Sequence, residues 1–284
     1  MTPQPISPDV LDDNEKLLLY GHAKTGKTFL ALTAPEPIYF MAIGGPNEAK
    51  TYYSKQFQDK HGKREVFIDI IEKDQTEKRG KFKKATGFDA ACDALDVALE
   101  LDDKGEMEWA TLVVDNATML TEMQANKVLE IANLGGVDDN RAKKDPAYKK
   151  FQDTGILTLF DSDYKAVQSL NWGWTSWIFG IDKNVVFIAH EYEDTVPNRK
   201  TQSSDLIGVK PQFYGRHRMD IPQLFDNVWR MSRNGQAYEA RTVSQGKPFD
   251  IVAGTRVGGI LAANYQDADL TKAFGRLQKY AKGV

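Results

Sequence analysis

Short apolar runs alternate with amphipathic segments along most of the chain from Lys16 onward. Several of these runs are rich in β-branched and aromatic residues and lack polar alternation: KLLLYG, PIYFMAIG, EVFIDIIE, ATLVVD and NVVFIAH. Such runs are typical of strands that are buried on both faces of a parallel sheet. Helical spacing of apolar residues occurs between them, at 27–34, 88–101, 117–134 and about 156–179. This order predicts a doubly wound α/β fold with a mostly parallel twisted sheet and helices on both faces.

The two ends of the chain depart from this alternation. Residues 1–15 are rich in proline and poor in apolar groups, which predicts a flexible N-terminal arm. Beyond a polar stretch at 191–218, shorter runs (NVWRMSR, AYEARTV and PFDIVAGTR) predict C-terminal strands, some of them antiparallel. An apolar stripe predicts a closing helix from about Asp267. We therefore expect a core domain over 16–264 and a C-terminal helix over 265–284.

Composition and charge exclude several classes of protein. Hydrophobic residues make up 41% and charged residues 27% of the 284 residues, which excludes a wholly disordered chain. The net charge is −3, so any nucleic-acid binding has to come from local basic patches. No apolar run reaches the ~18 residues of a membrane span, and we expect a cytoplasmic protein without a membrane partner. The single cysteine, Cys92, lies in a helical apolar pattern and is interpreted as a core thiol.

The strongest chemical signal is the sequence GHAKTGKT, which follows the strand KLLLY and precedes a helical pattern. It matches the phosphate-loop pattern G-x-x-x-x-G-K-[ST]. Its glycines let successive backbone N–H groups turn inward, where the positive end of the next helix also points. The lysine would neutralise the β- and γ-phosphates, and the last threonine would bind Mg²⁺. The predicted nucleotide-binding residues are Gly21, His22, Ala23, Lys24, Thr25, Gly26, Lys27 and Thr28.

A second motif, TLVVD, is an apolar strand that ends in Asp115. In folds with a phosphate loop such a strand lies beside the loop, and its carboxylate orients Mg²⁺. Without the loop, Asp115 would be interpreted as a helix N-cap. The segment Asn126-Lys127-Val128-Leu129 lacks the aspartate that would read guanine, so we expect ATP rather than GTP.

Together with VVFIAHE, DIPQLFDNVWRMSR and AGTRVGG, these motifs resemble those of RecA-like phage ATPases linked to recombination and single-strand annealing, over about residues 16–260. The resemblance implies a RecA-like core, ATP with Mg²⁺, assembly into rings or filaments, and single-stranded DNA bound by two loops. It implies that Lys27 and Thr28 are phosphate and metal ligands and that Asp115 is the second metal carboxylate. It also implies that His190 senses the γ-phosphate, and that Arg256 is a trigger residue with a neighbouring subunit's nucleotide as one target.

The chain departs from this family in one respect. RecA-like hydrolases usually place a glutamate at the end of the second strand, where it orients or deprotonates the attacking water. Here that strand runs IYFMAIGGPNEA. Glu48 lies a few residues late and is the candidate base, with a structural surface role as the alternative, and Glu191 is the reserve. The departure predicts slow hydrolysis, or ATP used chiefly as a switch.

Two basic segments stand where the family carries DNA loops. Residues 133–155 hold five Lys or Arg against four Asp, and have Tyr148 and Phe151 interleaved. Residues 196–218 hold five Lys or Arg against Asp205 alone, a net charge of +4, and are the better candidate. Cations and aromatic rings together suit backbone neutralisation and base stacking, although a solvated face has the same composition. The predicted DNA-binding residues are Arg199, Lys200, Lys210, Phe213, Tyr214, Arg216 and Arg218.

These observations favour an ATP-hydrolysing protein that acts on single-stranded DNA in phage recombination, annealing or replication, in the host cytoplasm. Homo-oligomers and other recombination or replication proteins are the expected partners. One alternative is a P-loop kinase for a small acceptor, with residues 55–84 as its lid, although Arg64 and Arg79 are the only arginines there. The other is a nucleotide-gated scaffold with little turnover.

Overall fold

The structure is a computed structural model that describes residues 14–76, 82–134, 161–198, 203–213, 217–235, 237–247, 249–256, 259–266 and 268–281. The predicted N-terminal arm up to residue 13 and most of the first basic segment lie outside these ranges.

Strands and helices alternate through the first two thirds of the described chain. The strands are β1 (Lys16–Gly21), β2 (Ile38–Ile43), β3 (Val66–Ile71), β4 (Gln75–Thr76), β5 (Phe82–Lys84), β6 (Thr111–Asp115), β7 (Asn184–Asn198), β8 (Ser203–Pro211), β9 (Asn227–Asn234), β10 (Ala237–Arg241), β11 (Asp250–Ile251), β12 (Gly254–Thr255) and β13 (Asn264–Gln266). The helices are α1 (Lys27–Ala31), α2 (Lys55–His61), α3 (Gly87–Asp103), α4 (Ala117–Leu134), α5 (Asp161–Phe179), α6 (His217–Asp220) and α7 (Leu270–Ala281).

One mixed sheet organises these elements, with the strand order β13-β10-β9-β1-β7-β6-β2-β3. The strands from β9 to β3 are parallel, whereas β10 and β13 are antiparallel. The small ribbon of β4 and β5 is separate. This topology confirms the predicted α/β fold, including its antiparallel C-terminal strands. It also places β7 between β1 and β6, so the strand of Asp115 is not the direct neighbour of the loop strand.

Each face of the sheet is covered by helices, as the continuous apolar strands predict. Leu18 and Tyr20 of β1 pack into a core with residues of α3, α4 and α5. Leu17 and Leu19 of the same strand face the opposite way, into a core with residues of α1, α2 and α7. Alternate side chains of a strand point to opposite faces, so a central strand buried on both sides has to be apolar throughout.

The sequence indicated a loop in the polar stretch after His190. The structure instead has a long hairpin there. Strand β7 is parallel to β1 up to His190, which pairs with Gly21. From Glu191 onward it pairs instead with β8, in antiparallel register down to Asn198 and Ser203. We call residues 191–211 the arm. β-branched and aromatic residues recur between the polar positions of the arm, and cross-strand pairing stabilises such a sequence as a hairpin.

Two helix boundaries differ from the sequence-based expectation for one reason. Helix α1 ends at Ala31, before residue 34, and α7 begins at Leu270 rather than near Asp267. Thr33 lies between them. Its Oγ1 accepts a hydrogen bond from Leu270 N–H at 2.9 Å, and its carbonyl accepts one from Thr271 N–H at 3.0 Å. Thr33 therefore caps α7 and cannot extend α1.

Candidate nucleotide-binding site

A cleft of about 580 Å³ opens at the carboxyl ends of the parallel strands. Its walls come from the loop after β1, the turn after β2, the ends of β6 and β7, and one side chain of β10. In open parallel sheets, ligands bind at this edge. The cleft therefore lies where the fold favours a ligand, and the predicted phosphate loop forms one of its sides.

The backbone of the loop requires glycine at two positions. A Cβ atom on Gly21 would lie 2.2 Å from the carbonyl oxygen of Met231. Gly26 has a φ of +83°, and a Cβ atom there would lie 2.9 Å from the ring of Tyr238. The loop approaches β9 and β10 too closely for a side chain at either position, so both glycines of the pattern have a physical role.

Lys27 lies buried inside this loop. Its ammonium donates hydrogen bonds to the carbonyl oxygens of Gly21 at 2.8 Å and His22 at 2.6 Å. Burial lowers the pKa of Lys27 to about 8, although Asp115, Glu191 and Glu48 partly oppose the shift. An ammonium has three donors. Two of them are used within the described residues, so the third can meet a phosphate oxygen.

Thr28 and Asp115 meet across the cleft. The Thr28 hydroxyl donates to Asp115 Oδ2 at 2.6 Å. Asp115 is buried, and this raises the pKa of its carboxyl to about 7 even though the Thr28 hydrogen bond lowers it. No group of three or more His, Cys, Asp or Glu that could hold a metal occurs among the described residues. Mg²⁺ fits this pair, because it usually takes one or two protein oxygens and completes its shell with water and phosphate.

Glu48 and His190 face the same cleft. Glu48 begins a short 3₁₀ turn after β2 and is half-buried; burial raises its pKa, which Lys73 and Lys27 partly counteract. His190 ends the parallel part of β7 and is also partly buried; burial and the charge of Lys27 lower its pKa. The structure thus brings Lys27, Thr28, Glu48, Asp115 and His190 to one cavity.

Glu191, the reserve base, is held elsewhere. Its side chain is 1% exposed and accepts two hydrogen bonds from the Arg230 guanidinium, at 2.6 Å and 3.2 Å. His22 Nε2 of the loop lies 3.2 Å from Glu191 Oε1, the oxygen that also accepts from Arg230 Nη2. A carboxylate fixed in this way has no freedom to take a proton from water. We therefore correct that hypothesis and assign Glu191 the task of anchoring the loop to the base of the arm.

Arg256 lies at the opposite end of the parallel strands from the cleft. It forms an ion pair with Asp226 at 2.9 Å, and its side chain is 66% exposed. Asp226 in turn accepts a hydrogen bond from the backbone N–H of Lys16, at the start of β1. The phosphate loop begins at the other end of that strand, at Gly21, about 17 Å away at ~3.3 Å per residue. Arg256 therefore does not join the nucleotide site of its own chain.

Two of the predicted DNA contacts are also corrected by their surroundings. Phe213 is 7% exposed and belongs to the core, so its ring is not available for stacking on a base. The ammonium of Lys210 pairs with Asp194 of the arm at 2.6 Å. Arg218 belongs to α6, and its side chain lies outside the described part. The other four lie outside the described residues altogether: Arg199, Lys200, Tyr214 and Arg216.

One residue of the cleft was missed by the sequence analysis. Tyr238 of β10 is half-buried and lies against Gly26 at the edge of the cleft, with the Arg233 guanidinium 5.7 Å from its ring centre. It offers an aromatic face beside the phosphate loop. No local signal could have shown this, because the contact depends on β9 pairing with β1 and β10 with β9.

The chain is similar to one family of known proteins and to a solved structure. Residues 13–257 match the family model described as AAA domain. No curated protein matches the chain. A solved structure titled "Structural and biochemical analysis of a prototypical ATPase from the type III secretion system of pathogenic bacteria" is similar at 12% identity with a TM-score of 0.36. That match covers 78% of this chain and 52% of the other, so the chain spans about half the length of that ATPase.

In the described part of the chain, no helix has both the length and the apolar character of a membrane span. The match to the AAA model extends over most of the chain and includes every element of the cleft. The chain belongs to the AAA domain family, and its phosphate loop lies at the carboxyl ends of a mostly parallel α/β sheet.

Proposed function

We propose that this chain hydrolyses ATP with Mg²⁺ and acts on single-stranded DNA in recombination, annealing or replication of the phage type, as a homo-oligomeric ring or filament with other recombination or replication proteins as partners. The observation that carries the proposal is the position of His190. This residue lines the nucleotide cleft, and the arm begins at the next residue. The nucleotide cleft and the arm are therefore adjacent along the backbone, where His190 is followed by Glu191.

The arm has the features of a nucleic-acid contact at its outer end. Residues 191–198 of β7 extend beyond the parallel sheet by about 25 Å at ~3.3 Å per residue. The sequence that joins β7 to β8 is Arg199-Lys200-Thr201-Gln202, so two cations follow directly on the outer end of β7. Val196 and Leu206 are exposed nearby. Cations with exposed apolar groups suit a single strand, which offers phosphates and unstacked bases.

Acidic residues disfavour contact at the base of the arm. Glu193, near the base of the arm, is exposed, and Asp194 is paired with Lys210. These carboxylates would repel a phosphate backbone. We therefore place DNA contact at Arg199 and Lys200 rather than along the whole arm.

The residues of the cleft divide the work of hydrolysis. Lys27 and the loop amides bind the phosphates, and Thr28 and Asp115 hold Mg²⁺, which when bound neutralises charge on the phosphates. Glu48 orients the attacking water and takes its proton. His190 reports the presence of the terminal phosphate to the arm. With these roles, a nucleotide bound in the cleft is hydrolysed there and also determines the position of the arm.

A titration of labelled single-stranded DNA tests the proposal. It is performed at several salt concentrations, with and without Mg²⁺ and a nonhydrolysable ATP analogue. We expect binding that depends on the nucleotide and weakens as salt rises. In the variant Arg199→Ala/Lys200→Ala the slope of log K against log salt should fall by about 1.4, because each phosphate contact contributes roughly 0.7 on single strands.

The control is Lys104→Ala, which removes an exposed cation directly after α3 that pairs with Glu100. It should leave both affinity and slope unchanged. Binding that does not depend on nucleotide or salt, or a slope that the double variant leaves unchanged, would contradict the proposal. Tight ATP binding with negligible turnover under every condition would support the scaffold instead.

The first part of the lid expected for a kinase, residues 55–71, is packed on the sheet, whereas the ribbon of β4 and β5 in the same segment is separate from that sheet. Helix α2 is anchored by Phe57, which is fully buried in the core, and β3 pairs along its full length with β2. Elements packed in this way cannot close over a substrate. Transfer of the γ-phosphate to an added nucleoside would nevertheless revive that alternative.

A further inference from the structure

A closed ring of three hydrogen bonds lies where the arm leaves the sheet. The backbone N–H of His190 donates to Thr118 Oγ1 at 2.9 Å, and the Thr118 hydroxyl donates to the carbonyl oxygen of Gln212 at 3.1 Å. The backbone N–H of Gln212 then donates to the carbonyl oxygen of His190 at 2.8 Å. Thr118 is thus bonded to the residue before the first strand of the arm and to the residue after the second.

Thr118 follows closely on the metal end of the cleft in the chain, although it does not line the cleft itself. It stands three residues after Asp115, in the first turn of α4. Asn116 fixes this turn: its Oδ1 accepts a hydrogen bond from Met119 N–H at 2.6 Å, and its own N–H donates to Ile43 at the end of β2. Asp115 and Thr118 therefore flank one turn that is hydrogen-bonded both to α4 and to β2.

The hydroxyl of Thr118 has no substitute at this place. Thr118 is 6% exposed, so water does not readily replace its bonds. Without the hydroxyl, the N–H of His190 and the carbonyl of Gln212 would each lose a buried partner, and such a loss is unfavourable. An ordinary buried threonine bonds to its own helix, as Thr121 does with Ala117 at 2.9 Å. Thr118 instead bonds to two other segments.

We propose that Thr118 is the positioning residue that couples the occupied nucleotide cleft to the arm. Ordering at Asp115 passes through the first turn of α4 to the Thr118 hydroxyl, and from there to both strands of the arm at His190 and Gln212. This inference extends the proposed function by naming the connection between its two parts. Its test uses no DNA, so it can succeed or fail independently of DNA binding.

Amide hydrogen exchange of the full-length protein measures this connection. Exchange at Gln212 and at residues 191–196 is followed with and without Mg²⁺ and a nonhydrolysable ATP analogue. In the wild type, the nucleotide should slow exchange of these amides by roughly two- to tenfold, the effect of strengthening one hydrogen bond. Thr118→Val keeps the shape but removes the hydroxyl, and it should abolish this nucleotide effect. Thr118→Ser retains the hydroxyl and should restore it.

The matched control is Thr121→Val, an equally buried change one turn further along α4. It should leave the nucleotide effect intact. Calorimetric affinity for the analogue is measured in parallel and should remain within about threefold in Thr118→Val, since this variant changes no residue of the loop. A variant that merely loosened the fold would lower the thermal midpoint and speed exchange in both nucleotide states, and this outcome would contradict the proposal.

Two other results overturn it. One is a nucleotide effect on the arm that survives in Thr118→Val and in Thr118→Ala, which serves if the valine variant does not fold. The other is the absence of any nucleotide effect on the arm in the wild type while the analogue is bound. Loss of the effect in Thr118→Val, retention in Thr121→Val and rescue by serine together support it, whatever the DNA titration shows.

Discussion

The hydroxyl of Thr28 and the carboxyl of Asp115 form a 2.6 Å hydrogen bond that joins the phosphate loop to the end of β6. The two residues are 87 positions apart, and β7 lies between β6 and β1, the strand that leads into the phosphate loop. The bond holds a buried carboxyl whose pKa is raised to about 7, mainly by desolvation. A buried carboxyl of this kind lowers the free energy of unfolding when it is ionised, and this effect can be measured.

Asp115→Asn should raise the thermal stability of the nucleotide-free protein at pH 8 and abolish Mg²⁺-dependent ATP turnover. The folded protein holds the Asp115 proton more tightly than the unfolded chain, whose pKa is near 3.8. Between 3.8 and about 7 the unfolded chain therefore binds fewer protons, and the stability contributed by this group falls as pH rises. Above pH 7 the full cost is present, and asparagine removes it while still accepting the Thr28 hydrogen bond.

Thermal unfolding at pH 5 and pH 8 measures this effect. The stabilisation by Asp115→Asn should be larger at pH 8 than at pH 5. An equal or reversed difference would contradict the assigned burial of the charge.

Replacement by glutamine should affect different properties at two carboxylates near the cleft. Glu48→Gln should lower kcat by roughly 10²- to 10⁴-fold, the usual contribution of a general base, with little change in ATP affinity. Glu191→Gln should act mainly on stability, because it weakens the pair with Arg230 inside the fold. Steady-state kinetics and thermal unfolding of both variants separate the roles. A normal kcat in Glu48→Gln would remove Glu48 as the base.

Tyr238 should contribute to nucleotide affinity through its ring. Tyr238→Ala removes the aromatic face beside Gly26 and should weaken ATP binding about tenfold, within the range for stacking of a base on an aromatic side chain. Tyr238→Phe keeps the ring and should bind like the wild type. Equilibrium binding of a fluorescent ATP analogue gives both values. Equal affinities in all three proteins would show that the base lies elsewhere.

The charge of Lys27 makes ATP affinity depend on pH. Its pKa of about 8 means that the ammonium loses its proton as pH rises through 8, and a neutral amine attracts the phosphates less. Affinity should therefore decline from pH 8 to pH 10, by up to about tenfold per pH unit if the charge is essential. Lys27→Arg keeps a charge over this range and should show a flat profile. A flat profile in the wild type would contradict the lowered pKa.

Local patterns were enough to predict the sheet, the loop and most helices. The loop GHAKTGKT could be interpreted in advance because its spacing matches the phosphate-loop pattern, and because Lys27 bonds within the loop itself, to Gly21 and His22. The apolar strands were equally clear, since burial on both faces leaves no polar position. The contact between Thr28 and Asp115 could be predicted because folds with a phosphate loop place the strand of the second motif close to that loop.

What could not be predicted depends on contacts between distant segments. The role of Glu191 follows from Arg230, 39 residues further on, and the position of Tyr238 follows from the strand order. The arm was interpreted as a loop because many of its residues are polar. Its two strands become evident only from their pairing with each other. Phe213 was counted with its basic neighbours, although the sequence does not show that its ring turns into the core.

Calorimetric titration of ATP with Mg²⁺ into the wild type, Lys27→Ala and Lys104→Ala is the most direct test of the nucleotide site. Our interpretation predicts a single site per chain in the wild type and in Lys104→Ala, and loss of measurable binding in Lys27→Ala. Binding of equal strength in Lys27→Ala and the wild type would show that the nucleotide is held elsewhere, and it would remove the basis for the roles given to Thr28, Asp115 and His190.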